Sequence, residues 1–169
     1  PELAKLLSDA ELSHAARHAL EAMPFASAGR ALVDALSVTT GTVRLGLVSS
    51  LASRREVAAV PALAVLLRDT ADPSAAEAAA HALGAIPDAA ALAALEAVWP
   101  DAAGSVRMAI IDALLAHGWR LLGAGEAREA GRGFRSIHAS EPDPRVRPPA
   151  DAGMIRAAAT VGPAFVAAG

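Results

Sequence analysis

Residues 69–100 read DTADPSAAEAAAHALGAIPDAAALAALEAVWP, and their spacing predicts two antiparallel helices joined by a short turn. Asp72 can accept hydrogen bonds from open first-turn N–H groups, Pro73 sits at the first helical position where its missing N–H costs nothing, and Glu77 complements the helix dipole. Gly84 stands where a left-handed cap would stop this helix. Pro87 and Asp88 restart a second helix that runs to Trp99, ahead of Pro100. Ala76, Ala79, Ala80 and Leu83 fall on one stripe, and Leu92, Leu95 and Trp99 on another, at spacings of three and four. A single pair cannot cover both stripes, so neighbours on each side are required.

The neighbours are present. Leu20, Leu51, Leu83 and Leu114, the last leucines of successive first helices, are separated by 31, 32 and 31 residues. The second-helix leucines Leu3, Leu32, Leu63 and Leu92 are separated by 29, 31 and 29. Two ladders sharing one period define a helix-pair repeat, because two helices of three to four turns with their connections need about that length.

Composition fits one helical domain of 169 residues, 54% hydrophobic and 3% aromatic. Alanine, about a quarter of the chain, favours helix and close helix approach but buries little area per residue. A net charge of −3 and a pI near 5.9 argue against a chain devoted to nucleic acid or acidic membrane. Lys5 is the sole lysine, a bias toward arginine that reads as coding composition. The absence of cysteine excludes disulfides and thiolate metal sites. No apolar run reaches spanning length and no signal peptide is visible.

Along the chain, PELAKLLSD (1–9) and PALAVLLRD (61–69) share one pattern two repeats apart, so the chain is expected to open inside a second helix, as a piece of a longer array. The first full unit spans 9–38: Asp9 or Ser8 caps a helix through Met23, Pro24 breaks it, and a second helix carries Leu32, Val33 and Leu36. Thr39, Thr40 and Gly41 open the unit 39–68. If its second helix begins near Arg55 or Glu56, Pro61 lies in the second turn and is expected to kink it. The units 69–100 and 101–142 follow, then a partial unit over 143–169. Pro148 and Pro149 place the start of its helix near Asp151, with an end at Val161 before Gly162 and Pro163. Residues 164–169 are expected to fray or to belong to a further helix.

These residues carry a family resemblance. Asp101 followed by Val106, Arg107, Ala109 and Leu114, with Val43, Arg44 and Leu51 in an earlier unit, resembles the D-x-x-V-R-x-x-A-x-x-A-L signature of HEAT repeats, an armadillo-like family. The resemblance covers nearly the whole chain and implies an all-α, right-handed α-solenoid of about five units. The unit 69–100 has Ala76 and Glu77 in place of Val-Arg, and the 39–42 turn lacks the aspartate, which leaves the family's inter-repeat Asp–Arg ladder open at both places. Within 101–142, Gly118, Gly125, Ala130, Phe134 and Pro142 fall at the spacing of tetratricopeptide (TPR) repeats, so 118–142 resembles a TPR-like half-unit.

Each chemical signal has a structural counterpart. His14 and His18 have the i,i+4 spacing of helical zinc motifs, but position 15 is Ala where a general-base glutamate would stand, and no third ligand is evident. No histidine is followed by glutamate, which weighs against the His-Glu pairs of di-iron HEAT-type hydroxylases. Arg17, Arg44, Arg107 and Arg147 are read as recurring at one repeat position, either as a phosphate-contacting track or as stems packed between repeats, bonding neighbouring aspartates or helix-end carbonyls. The second alternative is the family pattern. Gly123-Ala124-Gly125 follows a helix where a dinucleotide motif would follow a strand, and reads as a turn. Trp99 and Trp119 read as wedges between helices before they read as binding hot spots.

The resemblance therefore implies a non-catalytic, protein-binding scaffold without metal or cofactor, its second helices lining a concave face on which Arg30, Asp34, Arg68 and Glu96 contact an unidentified protein partner. The alternatives are a HEAT-type enzyme of the DNA-base glycosylase or chromophore lyase kind, which would need clustered aromatics and carboxylates, and nucleic-acid backbone binding through the recurrent arginines.

Overall fold

A computed structural model describes residues 2–9, 11–140 and 143–161, and among them every regular element is helical. The elements are α1 (Glu2–Lys5), α2 (Ser13–Ala22), α3 (Ala26–Leu36), α4 (Gly41–Arg54), α5 (Val60–Leu67), α6 (Pro73–Ala85), α7 (Ala89–Val98), α8 (Gly104–Gly123), α9 (Ala127–Ser140) and α10 (Arg147–Val161), with single 3₁₀ turns at Leu6–Ser8, Val57–Ala59 and Trp99–Asp101. The chain forms two compact units, residues 1–110 and 111–169.

In the first unit α2 packs on α3 and α6 on α7, while α4 packs on α3 and α6 and α5 packs on α6, so the helices stack in two layers. First helices α2, α4 and α6 pack side by side, while α1 meets α3, α3 meets the turn before α5, and α5 meets α7. The leucine ladder of the first helices is the seam of this stack: Leu20, Leu51 and Leu83 are all buried. Of the second ladder, Leu32 and Leu63 are fully buried, whereas Leu3 and Leu92 are half-buried. Ala75, Ala76, Ala79, Ala80 and Ala82 leave α6 almost without exposed surface on its inner side, so this helix stands close to α4 and α5.

The caps explain where helices begin. Asp72 Oδ1 accepts from Ala75 N (3.0 Å) and Asp88 Oδ1 from Ala90 N (2.8 Å). Asp9 Oδ1 accepts from Glu11 N and Leu12 N, both at 2.8 Å, in the turn that leads into α2.

Three expected boundaries are corrected. Gly84 is buried inside α6 and does not cap it; the helix runs to Ala85 and ends at extended Ile86. Pro61 does not kink α5, because the 3₁₀ turn at Val57–Ala59 delays the α-helix to Val60 and leaves the proline in its first turn, where no intrahelical N–H is needed. The last helix starts at Arg147, four residues before Asp151, with Pro148 and Pro149 in its first turn for the same reason.

In the second unit α9 packs along α10, and Phe134 is completely buried. A Cβ on Gly118 would meet the Phe134 ring at 2.7 Å, and one on Gly153 would overlap it, so two glycines make its slot. The TPR-like spacing thus brings Gly118, Ala130 and Phe134 into one buried region, with Gly125 in the α8–α9 turn at φ +84°. Pro142, Gly162, Pro163 and residues 164–169 lie outside the described residues.

Candidate interaction face

Arg30 and Asp34 stand one turn apart on α3, both exposed, and share an open groove with Ala4, Ser8, Ser27 and Val38. Arg68 follows the last residue of α5 and Glu96 lies on α7; both are exposed. Arg68 turns back on its own helix, donating from Nη1 to the Ala64 carbonyl (2.8 Å). Val38, just past the end of α3, and Val65, on α5, are 73% and 70% exposed, far more than any aliphatic residue of the seam. The four expected contact residues are therefore spread over three second helices, with apolar side chains open to solvent among them.

The recurrent arginines do not form a track. Arg44 Nε donates to Thr39 O (2.6 Å) and its guanidinium faces Asp72 at 3.9 Å, an inter-repeat Arg–Asp contact at the unit where the sequence left it open. Arg107 Nη1 donates to the carbonyls of Trp99 (3.0 Å) and Ala102 (3.3 Å). Arg17 is corrected in register: counted from the ladder leucines, the place of Arg44 and Arg107 in the first unit belongs to Ser13, and Arg17 lies one turn further on. Its Nη1 donates to Ser50 Oγ on α4 (2.9 Å), and Ser50 in turn donates to Glu21 Oε2 (2.6 Å). Arg147 is exposed in the first turn of α10.

His14 and His18 meet edge to face, ring centroids 4.6 Å apart, and His14 Nδ1 accepts from Arg17 Nη2 (2.9 Å). Among the described residues no group of three His, Cys, Asp or Glu is placed to hold a metal ion. Trp99 is buried at the end of the third helix pair, a wedge as its size suggests. Trp119 packs against Phe134 with ring centroids 5.2 Å apart and planes tilted by 60°, and the Arg156 guanidinium lies 5.9 Å from the Trp119 ring centroid.

Sequence reasoning missed Arg54, the most connected side chain of the first unit. From the C-terminus of α4 its guanidinium donates to the carbonyls of Leu20, Glu21, Met23 and Phe25, which lie at the end of α2 and in the α2–α3 turn. Glu56 Oε2 lies 3.5 Å from its Nε and presses on Gly29 of α3 so closely that a Cβ there would overlap the carboxylate. Arg55, at φ +51°, makes the left-handed turn that brings Glu56 back. One arginine thus closes the end of one repeat and clamps it to the next.

Two carboxyls are held below their ordinary range. Asp9 is lowered by the backbone N–H groups of Leu12 and Glu11. Asp143 is lowered to about 2, first by its hydrogen bonds from the Arg145 side chain, then by the Arg145 backbone N–H, and Arg145 is raised in return. Both are turn-forming devices on exposed loops. No described helix is long and apolar enough to cross a membrane.

No curated protein and no solved structure matches the chain. The family model for HEAT repeats matches residues 29–115, about half of the chain, from α3 into α8. That span holds α4 to α7, the seam leucines Leu51 and Leu83 and the Arg44–Asp72 contact, and the chain belongs to the HEAT-repeat family.

Proposed function

We propose that this chain is a non-catalytic scaffold that binds a protein partner along its second helices, with Arg30, Asp34, Arg68 and Glu96 as polar contacts. The observation that carries the proposal is the contrast along α3, α5 and α7: inner sides sealed by leucine and alanine, outer sides presenting both charge signs, with Val65 on α5 and Val38 in the turn after α3 exposed. Apolar anchors rimmed by charges suit a protein surface better than a small molecule or a phosphate backbone. The family supports it too, since HEAT repeats are typically interaction modules.

The test is site-specific photo-crosslinking from positions 34 and 65 in cells, followed by binding of each captured protein to the purified chain. Combined Arg30→Glu and Arg68→Glu substitutions should abolish that binding without moving the unfolding midpoint, as both residues lie on the surface. Crosslinks that appear only from the first-helix side, or binding indifferent to both substitutions, would defeat the assignment. Nucleic-acid binding is disfavoured because Arg17, Arg44 and Arg107 already spend donors on protein acceptors. A glycosylase-like or lyase-like activity lacks support in the aromatic placement, since Trp99 is a buried wedge.

A further inference from the structure

We infer that the cleft between α2 and α4 is a binding site for a small oxyanion, a phosphate or carboxylate group, in the place where other repeats carry their own aspartate. Leu7, Ser13, His14, Arg17, Thr42 and Gly46 are among the side chains lining a partly enclosed cavity of about 210 Å³ there, room for several waters at about 30 Å³ each.

The next repeat shows what such a place is for. Asp72 caps α6 and its carboxylate faces Arg44 of the preceding first helix, so a negative group sits between a helix N-terminus and an arginine. One repeat earlier the register of Asp72 is held by Thr40 and that of Arg44 by Ser13. Thr40 makes no side-chain cap, so the first N–H groups of α4 have no acceptor from it. Ser13 is far smaller than the arginine whose register it holds and lines the cavity, and Thr40 brings no carboxylate to the first turn of α4, whose Thr42 and Val43 line it too.

What remains suits an anion. Ser13 is 9% exposed, lines the cavity, and its hydroxyl has no hydrogen-bond partner among the described residues. Arg17 gives one donor to Ser50 and one to His14, which leaves one N–H on each η nitrogen. Glu21, 4.0 Å from Nη1, offsets part of the arginine charge from the Ser50 side, and Arg44 is turned away toward Thr39 and Asp72. The Thr42 hydroxyl and the N-terminal dipole of α4 add to these donors, and no carboxylate lines the cavity.

The experiment is an NMR titration of the whole chain with inorganic phosphate and, in parallel, with acetate, at constant ionic strength. Saturable shifts of the Ser13, Thr42 and Val43 amides with a Kd near about 1 mM are expected for at least one of them. The tighter of the two tells whether the site takes a phosphate or the carboxylate of an acidic chain. Ser13→Ala, which leaves the charge unchanged, should weaken binding about ten-fold. Thr40→Asp, which restores the missing carboxylate, should abolish it while raising the unfolding midpoint. Shifts that never saturate, or binding that survives unchanged in both folded variants, would overturn the site.

Discussion

Replacing Arg54 with alanine tests whether the repeats are held by a specific side-chain clamp or by aliphatic stacking alone. The Arg54 side chain is 11% exposed, and its guanidinium donates to four carbonyls of the preceding pair. Its loss strands acceptors at the end of α2 and leaves Glu56, 20% exposed, without its opposite charge. Charge-assisted bonds of this kind are each worth about 1.5–3 kcal/mol, and breaking a buried pair costs about 3–5 kcal/mol. Water can reach the outer carbonyls, so a net loss of about 3 kcal/mol is expected for Arg54→Ala. At about 2–4 °C per kcal/mol for a chain of this length, the melting midpoint should fall by about 6–12 °C.

Urea unfolding followed by far-UV circular dichroism measures the loss, and amide exchange locates it. In an array, stability is the sum of repeat and interface contributions, so α2 and α3 should open before α6 and α7. Arg54→Lys should recover less than half, because one ammonium cannot fan out over four acceptors as a planar fork does. A loss under about 0.5 kcal/mol, or full recovery by lysine, would refute the clamp.

Other outcomes follow from the same contacts. Gly29→Ala should destabilise by about 1 kcal/mol, through displacement of Glu56, but stabilise by about 1 kcal/mol in a Glu56→Ala background, where only the helix propensity gain remains; denaturation of the four chains of that cycle decides it. Gly118→Ala should cost about 2–3 kcal/mol by overpacking the Phe134 ring, and Phe134→Leu in the same chain should relieve part of that cost, both read from unfolding midpoints. The Asp143 carboxyl is depressed in the folded chain, so its contribution is complete above the ordinary value of 3.8 and is lost as pH falls through about 2. A carboxyl carbon titration with its midpoint near 3.8 would contradict the Arg145 contact.

The two leucine ladders made the stack legible because burial at a fixed period is a property of the chain itself. Leu20, Leu51 and Leu83 are buried where the period put them. Helix ends were legible only where one residue decides them locally, as Asp72 and Asp88 do. Gly84 and Pro61 carry the same local signals, yet packing around α6 and a 3₁₀ turn before α5 decided their outcome. The interaction face was legible as exposure and not as geometry, since four charged residues on three helices have no mutual spacing that a period encodes.

Arg54 was invisible for a further reason: its acceptors are backbone carbonyls 29–34 residues earlier, and carbonyls leave no mark in a sequence. The same holds in reverse for Thr40. Its departure from aspartate was readable, but its consequence depends on Ser13, 27 positions back, being small as well. An arginine at position 13 would face Thr40 without the carboxylate that Asp72 offers Arg44. Together Ser13 and Thr40 remove both charges of the pair, and Ser13 lines a cavity beside the first turn of α4, where no side chain caps the helix. A repeat protein can thus acquire a site by omission, because the neighbouring copy records what the omitted pair did. The unit with Asp72 and Arg44 is the internal control against which Thr40→Asp is measured.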